Sequence, residues 1–175
     1  MENNVLYWLE SIRTDSLTQV LGVVTHLGGT KSLIIIIGLT LLALILTKFY
    51  KEAVMLAGTM LVGVTVSQSL KHLINRPRPD VVSHLTEFSS PSFPSGHAMN
   101  NMLFATVITY LSWRVFKRKR WSVLIGVMMY VWAILVGFSR LYLGVHYPTD
   151  VLAGWALGLV VGLGAIWVAG RMDAG

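Results

Sequence analysis

Five long apolar segments constrain what this chain can fold into. A helix needs about 20 mostly apolar residues to cross a bilayer, and the predicted spans are Lys31–Thr47, Ala53–Ile74, His97–Phe116, Trp121–Phe138 and Val151–Gly170. Only 13% of the 175 residues are charged, against roughly a quarter in soluble domains. The sequence therefore predicts an all-α, integral-membrane helical bundle that forms a single domain over residues 1–175.

The first 30 residues differ from the spans because charged residues are mixed with apolar ones at helical spacing. That pattern favours an N-terminal amphipathic helix over Val5–Leu27, lying in the membrane interface. Gly28 and Gly29 are expected to end it, so that residues 1–30 form an interfacial segment and residues 31–170 the transmembrane core. We expect no secretory signal peptide, because the chain opens with an acidic residue and no cleavable apolar stretch follows closely.

The positive charge of the chain predicts its topology. The net charge is +6, and five of the fourteen basic residues lie in the short loop Arg114–Arg120. Basic loops between spans are typical of the cytoplasmic side, so we do not expect nucleic-acid binding. Lys48–Glu52 lies on the same side, because two spans separate the two loops. The segments Asn75–Gly96 and Ser139–Thr149 are then extracytoplasmic in a multi-pass protein of the cell membrane.

Three polar clusters lie at the ends of these spans, all on the predicted extracytoplasmic side. In chain order they are Lys71-x6-Arg78-Pro79, Pro94-Ser95-Gly96-His97 and Ser139-Arg140-x5-His146-x3-Asp150. Phosphate-ester hydrolysis needs cations and N–H donors for the phosphoryl oxygens, a nucleophile, and an acid for the leaving oxygen. The chain has no cysteine and no clear cluster of metal-binding carboxylates, so histidine is the natural nucleophile.

The expected phosphate-binding groups are cations and a helix N-terminus. Lys71 lies at helical depth in a span, where a charge is by default a functional hypothesis; the alternative is a lysine that snorkels to the interface. Arg78 and Arg140 follow span ends, and arginine can bind phosphate oxygens in a bidentate manner. Ser95 suits a helix cap, and Gly96 lets the free N–H groups of the helix approach an anion.

The expected catalytic groups are two histidines and a carboxylate. His97 lies in the first turn of a span, beside the expected anion, although alone it would also suit a polar interface histidine. Asp150 follows His146 by four residues and can bond to its ring, which fixes the tautomer and leaves the other nitrogen free to attack phosphorus. These residues and the cations together predict a phosphate-handling site.

Other polar residues are left open. Arg76 is expected either to join the site or to face outward toward lipid. Asp80 and Glu87 lie in the loop over the site, where they either touch substrate or are solvated. The remaining histidines are taken as structural or outside the site: His26, His72 and His84. Gly154, Gly158 and Gly162 repeat every four residues, which predicts close helix packing.

The three clusters resemble the signature motifs of the type 2 phosphatidic acid phosphatase superfamily, and the resemblance covers the chain from about Gly28 onward. It implies that His146 is the phosphorylated nucleophile, that Asp150 orients it and that His97 protonates the leaving group. It further implies that no metal or cofactor is required and that phosphate is held by Lys71, Arg78, Ser95, Gly96 and Arg140. Size and topology are similar to the bacterial membrane branch, which includes phosphatidylglycerophosphate and undecaprenyl diphosphate phosphatases. Many members have six spans, one more than predicted here.

The resemblance implies an enzyme that acts on a lipid phosphate among membrane lipids. Undecaprenyl diphosphate, phosphatidylglycerophosphate and phosphatidic acid present similar terminal phosphates, and the sequence does not choose among them or indicate an oligomeric state. Three alternatives are weighed against it. A vanadium-dependent haloperoxidase uses a related oxyanion site, but such enzymes are soluble and larger. A non-enzymatic lipid-binding or scaffold protein would not need an intact site. A transporter would place polar groups at the midplane of the membrane.

Overall fold

The structure is a computed structural model that describes residues 1–86, 90–116 and 119–174. Glu87, Lys117 and Arg118 lie outside the described residues. The described ranges contain seven helices and no strand, which confirms the all-α prediction: α1 Glu2–Ser11, α2 Asp15–Leu27, α3 Thr30–Leu46, α4 Tyr50–Ile74, α5 Gly96–Val115, α6 Lys119–Tyr142 and α7 Pro148–Ala174. Helices α3 to α7 coincide with the five predicted apolar segments, with ends within four residues of the expected ones.

The N-terminal segment is two helices, so the prediction of one continuous amphipathic helix is wrong. The chain leaves α1 at Ile12, and Thr14 begins α2 by accepting a hydrogen bond from the Leu17 amide on its side-chain oxygen. A threonine N-cap of this kind satisfies one of the free N–H groups of a new helix, which is why the helix restarts there. Helix α1 buries Leu6 and Leu9, so it packs on the bundle.

Gly28 and Gly29 break the chain between α2 and α3, as expected. The two helices meet at 49° and together are long and apolar enough to cross a membrane. The bend packs tightly against α6, because a Cβ on Gly28 would lie 2.5 Å from the side chain of Val136. The Gly28 carbonyl accepts a 2.8 Å hydrogen bond from the buried side-chain amide of Asn101 on α5. The bend is therefore fixed by contacts to two other helices.

The helices differ in how well they suit the bilayer. By length and composition, and within the part of the chain described, α4, α6 and α7 can each cross a membrane, and the bent pair α2 and α3 raises the number to four. Helix α5 is more polar and packs against α4, α6 and α7. Eleven of its twenty residues are buried. Because its neighbours cover it, α5 can carry buried polar residues such as Asn101 and Thr106.

Helices α5 and α7 pack through the predicted glycine stripe. A Cβ on Gly154 would lie 2.8 Å from the Ser95 carbonyl oxygen, and one on Gly158 would lie 2.5 Å from the Met99 carbonyl oxygen. Such distances leave no room for a side chain, so the backbones touch, as small residues allow between membrane helices. The close approach sets the first turns of α5 and α7 side by side, where two of the three polar clusters lie.

Candidate active site

His146 and Asp150 form the centre of the site. His146 lies in the short connection before α7, and Asp150 is the third residue of that helix. Their side chains are 2% and 0% exposed, and His146 Nδ1 is 3.5 Å from Asp150 Oδ2. The hydroxyl of Ser92 lies beside both, 2.5 Å from that carboxylate oxygen and 3.3 Å from Nδ1. The amide of Tyr147 donates to the same oxygen at 2.9 Å.

Arg78 lies on the other side of the imidazole. Its Nη1 is 3.3 Å from His146 Nε2 and donates to the Val145 carbonyl at 2.8 Å, while its Nε donates to the Ser90 carbonyl at 2.9 Å. These carbonyl contacts fix the guanidinium against the loop that carries the histidine. A group bound at His146 Nε2 would therefore be within reach of a positively charged donor.

The N-terminus of α5 and the C-terminal part of α4 form the next wall. Lys71 is 5% exposed and donates to the Pro91 carbonyl at 2.6 Å. Its Cε lies 3.9 Å from the position of a Cβ on Gly96, and the amide of Ser95 donates to the Asp150 carbonyl at 3.0 Å. Ser95 is the N-cap residue of α5, but its side chain does not cap the helix as expected.

Arg140 and His97 complete the site from α6 and α5. Arg140 is 5% exposed, and its Nη1 donates to Thr25 Oγ1 on α2 at 2.6 Å. His97 lies against the bend between α2 and α3, where its Nε2 is 3.6 Å from the position of a Cβ on Gly29. The positive charges of Arg140 and Arg78 act on the ring of His97. The structure thus brings all three clusters to one end of the bundle.

The charge of the site favours an anion. Within the described part of the site, the cations Lys71, Arg78 and Arg140 outnumber the carboxylate of Asp150. Among the described residues, the buried Ser95 Oγ and Arg140 Nε have no hydrogen-bond partner. Buried polar groups are costly when unpaired, and a tetrahedral oxyanion supplies acceptors for both. The donor set therefore suits phosphate.

His146 and Arg78 lie outside the helices, and burial shifts the pKa of both. It lowers the pKa of His146 to about 3, although the nearby carboxylate of Asp150 acts in the opposite direction. The ring is therefore neutral at neutral pH, with a nitrogen lone pair available for attack. Burial also lowers the pKa of Arg78 to about 10, which leaves this guanidinium charged at neutral pH. The site thus holds a neutral imidazole next to a fixed cation.

Arg76 is neither a phosphate-site cation nor an outward-facing base, the two roles that the sequence left open. Its Nη1 bonds to Asp150 Oδ1 at 2.8 Å and its Nη2 to Glu2 Oε2 at 2.8 Å. The guanidinium also stacks on the ring of Tyr147, 4.1 Å from the centroid. The arginine therefore connects α1 to the carboxylate behind the histidine.

Sequence reasoning missed Ser92 and Thr25 as well. Nothing in the spacing of Ser92 distinguishes it from the other serines of its loop, and Thr25 lies in a segment read as interfacial. Asp80 is exposed. So are the three histidines set aside from the site: His26, His72 and His84.

A groove of about 740 Å³ lies away from this site. It runs between α4 and α7 at the end of α4 that carries Tyr50, whereas Lys71 lies near the other end. Small residues such as Gly58 and Ala165 line it, and its surface is mostly apolar. Hydrocarbon chains suit such a groove, whereas phosphate chemistry requires the polar groups gathered at the other end of the bundle.

Comparison with known proteins identifies the family. The model of the PAP2 superfamily matches residues 32–172, and the chain therefore belongs to this superfamily. Phosphatidylglycerophosphatase B of Bacillus subtilis is 38% identical over 161 residues, which cover 86% of this chain and 74% of that protein. Undecaprenyl-diphosphatase of Sulfolobus acidocaldarius is 31% identical over 127 residues, which cover 70% of this chain and 57% of the relative. The resemblance drawn from the three motifs is confirmed.

Solved structures agree. The crystal structure of a transmembrane PAP2 type phosphatidylglycerolphosphate phosphatase from Bacillus subtilis matches with a TM-score of 0.87 at 29% identity, covering 99% of this chain and 84% of that one. LpxE of Aquifex aeolicus matches with a TM-score of 0.75 over 93% of each chain. At 24% identity, the second likeness concerns the fold alone. The fold is therefore that of a membrane-integral PAP2 protein.

Proposed function

We propose that this chain is an integral-membrane lipid phosphatase that removes a terminal phosphate through a phosphohistidine intermediate. The observation that carries the proposal is the placement of His146, with Nδ1 toward Asp150 and Nε2 toward Arg78. Its substrate is a lipid phosphate or diphosphate. Membership of the PAP2 superfamily supports this class of reaction, as do the names of relatives that act on phosphatidylglycerophosphate and undecaprenyl diphosphate.

In the first step the phosphoryl group moves to the enzyme. The lone pair of His146 Nε2 attacks phosphorus, the bond between phosphorus and the lipid oxygen breaks, and His97 gives a proton to the departing oxygen. Asp150 accepts from the Nδ1–H and stabilises the positive charge that develops on the ring. The phosphoryl oxygens bind to Lys71, Arg78, Ser95, Gly96 and Arg140, which act as fixed cations and donors.

In the second step water releases the phosphate. The water oxygen attacks phosphorus, one of its protons passes to His97, the bond between phosphorus and Nε2 breaks, and inorganic phosphate leaves. His97 is thereby ready to act as an acid again. Arg140 and Arg78 act on the charge of His97, and a phosphate bound to them lies near this ring. The negative charge of that phosphate helps to hold the proton on His97.

We further propose that α3 to α7 each cross the membrane and that the site faces the extracytoplasmic side. Five spans place Lys48 and Arg120 on one side and the phosphate-binding residues on the other, and basic loops favour the cytoplasm. The chain has no cysteine, so single cysteines can be introduced at exposed positions. In intact cells, Asp80→Cys should react with a membrane-impermeant maleimide, whereas Lys48→Cys should react only after permeabilisation. The reverse pattern would contradict the orientation.

The function is tested with purified protein in detergent. Phosphate release is measured on phosphatidic acid, phosphatidylglycerophosphate and undecaprenyl diphosphate, with and without a chelator. Wild type should hydrolyse at least one of them in the presence of chelator and should form an acid-labile phosphoenzyme from radiolabelled substrate. His146→Asn should form none and lose nearly all turnover, while His72→Asn, at an exposed position on α4, should behave like wild type. Undiminished turnover in His146→Asn would refute the assignment.

A further inference from the structure

Arg76 makes a fork of contacts behind the histidine–carboxylate pair. Its Nη1 donates to Asp150 Oδ1 at 2.8 Å and to Thr149 Oγ1 at 2.7 Å, and its Nη2 donates to Glu2 Oε2 at 2.8 Å. The side chain of Asp150 is fully buried, while that of Arg76 is 26% exposed. One guanidinium therefore spans from the edge of the site to its most buried acid.

The two oxygens of Asp150 have different partners. Oδ1 accepts a hydrogen bond from Arg76. Oδ2 faces the ring of His146 and accepts hydrogen bonds from the Ser92 hydroxyl and the Tyr147 amide. Because Arg76 holds Oδ1, the carboxylate cannot rotate about its own bond without breaking a charge-assisted hydrogen bond. Such bonds are about twice as strong as neutral ones. Arg76 thus determines which oxygen the imidazole meets.

Glu2 holds the arginine from the outer side. Its Oε1 accepts from the amide of Thr149 at 3.2 Å and from the hydroxyl of the same residue. Burial acts to raise the pKa of Glu2, but hydrogen bonds from Thr149 and Arg76 outweigh it and the pKa is lowered. Glu2 is therefore charged at neutral pH. Stacking on Tyr147 adds a further contact, so the guanidinium is fixed on three sides.

We infer that Arg76 is a positioning residue for the reaction, which holds Asp150 in the orientation that serves His146 and is itself held by Glu2 of α1. The inference rests on the proposed function. It assigns α1 a part in assembling the site, since the first helix supplies the outer carboxylate. Arg76 acts through Asp150, so its loss should slow phosphoryl transfer without weakening phosphate binding.

The test compares Arg76→Gln, Arg76→Lys and Glu2→Gln with a matched control, Arg13→Gln. Arg13 also ties the N-terminal segment to the bundle, because it bonds to Glu10 of α1, to Ser83 and to the Tyr142 carbonyl, and none of these hydrogen bonds reaches Asp150. Each protein is purified in detergent, and kcat and KM are measured on a short-chain phosphatidic acid. Thermal unfolding of each variant is recorded, so that loss of stability is separated from loss of rate.

Arg76→Gln should lower kcat by about 10- to 100-fold, by analogy with the loss found when an outer partner of a metal-bound imidazole is removed, with KM changed less than about 3-fold. Arg76→Lys retains the charge and should recover part of that loss but not all of it, and Glu2→Gln should fall between wild type and Arg76→Gln. Arg13→Gln should keep a kcat near wild type even if its melting temperature falls. Should Arg76→Gln fail to fold, Arg76→Lys still tests the inference, because lysine cannot bridge Asp150 and Glu2 as a fork and should lose part of kcat at unchanged KM.

Two results would overturn the inference while the wild type is active. One is a kcat of Arg76→Gln or Arg76→Lys that matches Arg13→Gln, and the other is a loss confined to KM, which would make Arg76 a substrate-binding cation. A wild type that releases no phosphate from any lipid phosphate, or a fully active His146→Asn, would instead refute the proposed function, and the inference would fall with it. The wild-type and His146→Asn measurements therefore distinguish the two failures.

Discussion

The hydroxyl of Ser92 and the carboxylate of Asp150 are joined by a hydrogen bond of 2.5 Å inside the protein. Both side chains are fully buried, and the oxygen that accepts this bond is the one that faces His146, at 3.5 Å from Nδ1. Ser92 is in turn fixed through its amide, which donates to the Arg76 carbonyl at 2.9 Å. The carboxylate therefore depends on a serine outside the three motifs.

Replacing Ser92 with alanine should slow the reaction. The change removes a donor from a buried charged acceptor, which costs about 1–3 kcal/mol, and it frees the carboxylate to shift relative to His146. We expect kcat to fall by about 10-fold, the equivalent of 1.4 kcal/mol, and the melting temperature in detergent to fall with it. Ser122→Ala is the control, because that buried hydroxyl donates to the Ser112 carbonyl far from the site. Equal kcat in the two variants would contradict the prediction.

Thr25 should influence phosphate affinity through Arg140. Its Oγ1 accepts from the buried Nη1 of Arg140 at 2.6 Å, and valine would keep the shape of the side chain but remove the acceptor. A hydrogen bond to a charged group contributes about 1.5–3 kcal/mol, so inhibition by orthovanadate, which resembles the transition state, should weaken by about 10-fold or more. Thr106→Val removes a buried hydroxyl that donates within α5 and should leave vanadate inhibition unchanged. Unaltered inhibition in Thr25→Val would show that Thr25 does not orient Arg140.

The sequence predicted the helices and the gathering of the motifs for physical reasons. Long apolar runs must be helical in a bilayer, because every backbone polar group needs a partner there. Span ends on one side must then lie together, which brings His97 to the end of the bundle that carries His146. The number of spans is harder to predict from the sequence, because α5 is more polar than a typical span and is enclosed by other helices. Composition alone does not reveal such shielding.

The supporting residues could not be predicted because their partners are distant in the chain. Arg76 meets Glu2 across 74 positions, and Thr25 meets Arg140 across 115. No periodicity links such pairs. The break between α1 and α2 is not evident from the sequence either, because the apolar spacing continues through it and only the threonine cap at residue 14 marks it. Tertiary contacts determine these features, whereas the motifs follow from local chemistry.

The stability of the protein should depend on pH through His146. Burial lowers the pKa of this histidine in the folded chain to about 3, whereas it titrates near 6.5 in an unfolded chain. As pH falls below 6.5, the unfolded chain takes up the proton first, so stability present above pH 6.5 is lost progressively toward pH 3. The loss should be at most about 1.4 kcal/mol per pH unit.

The measurement compares melting temperatures of wild type and His146→Asn in detergent between pH 7.5 and pH 5. Asparagine does not titrate, so the wild-type melting temperature should fall more steeply as the solution is acidified. His72→Asn removes an exposed histidine and should keep the steep wild-type dependence. Parallel curves for wild type and His146→Asn would mean that the buried ring does not contribute to the loss.

The packing of α7 on α5 should be needed for both stability and activity. A Cβ on Gly158 would lie 2.5 Å from the Met99 carbonyl oxygen and 2.9 Å from the Leu103 amide, and backbone atoms cannot move aside as a flexible side chain does. Gly158→Ala should therefore push the helices apart and lower the melting temperature, because overpacking costs about 1–3 kcal/mol. It should also reduce turnover, because these two helices carry His97 and Asp150.

Gly164→Ala is the matched control on the same helix. Its Cβ would meet nothing within 4 Å, so alanine should leave turnover unchanged and stabilise the helix by up to about 1 kcal/mol. A Gly158→Ala variant as stable and active as Gly164→Ala would show that the contact between the two backbones can open without disturbing the site.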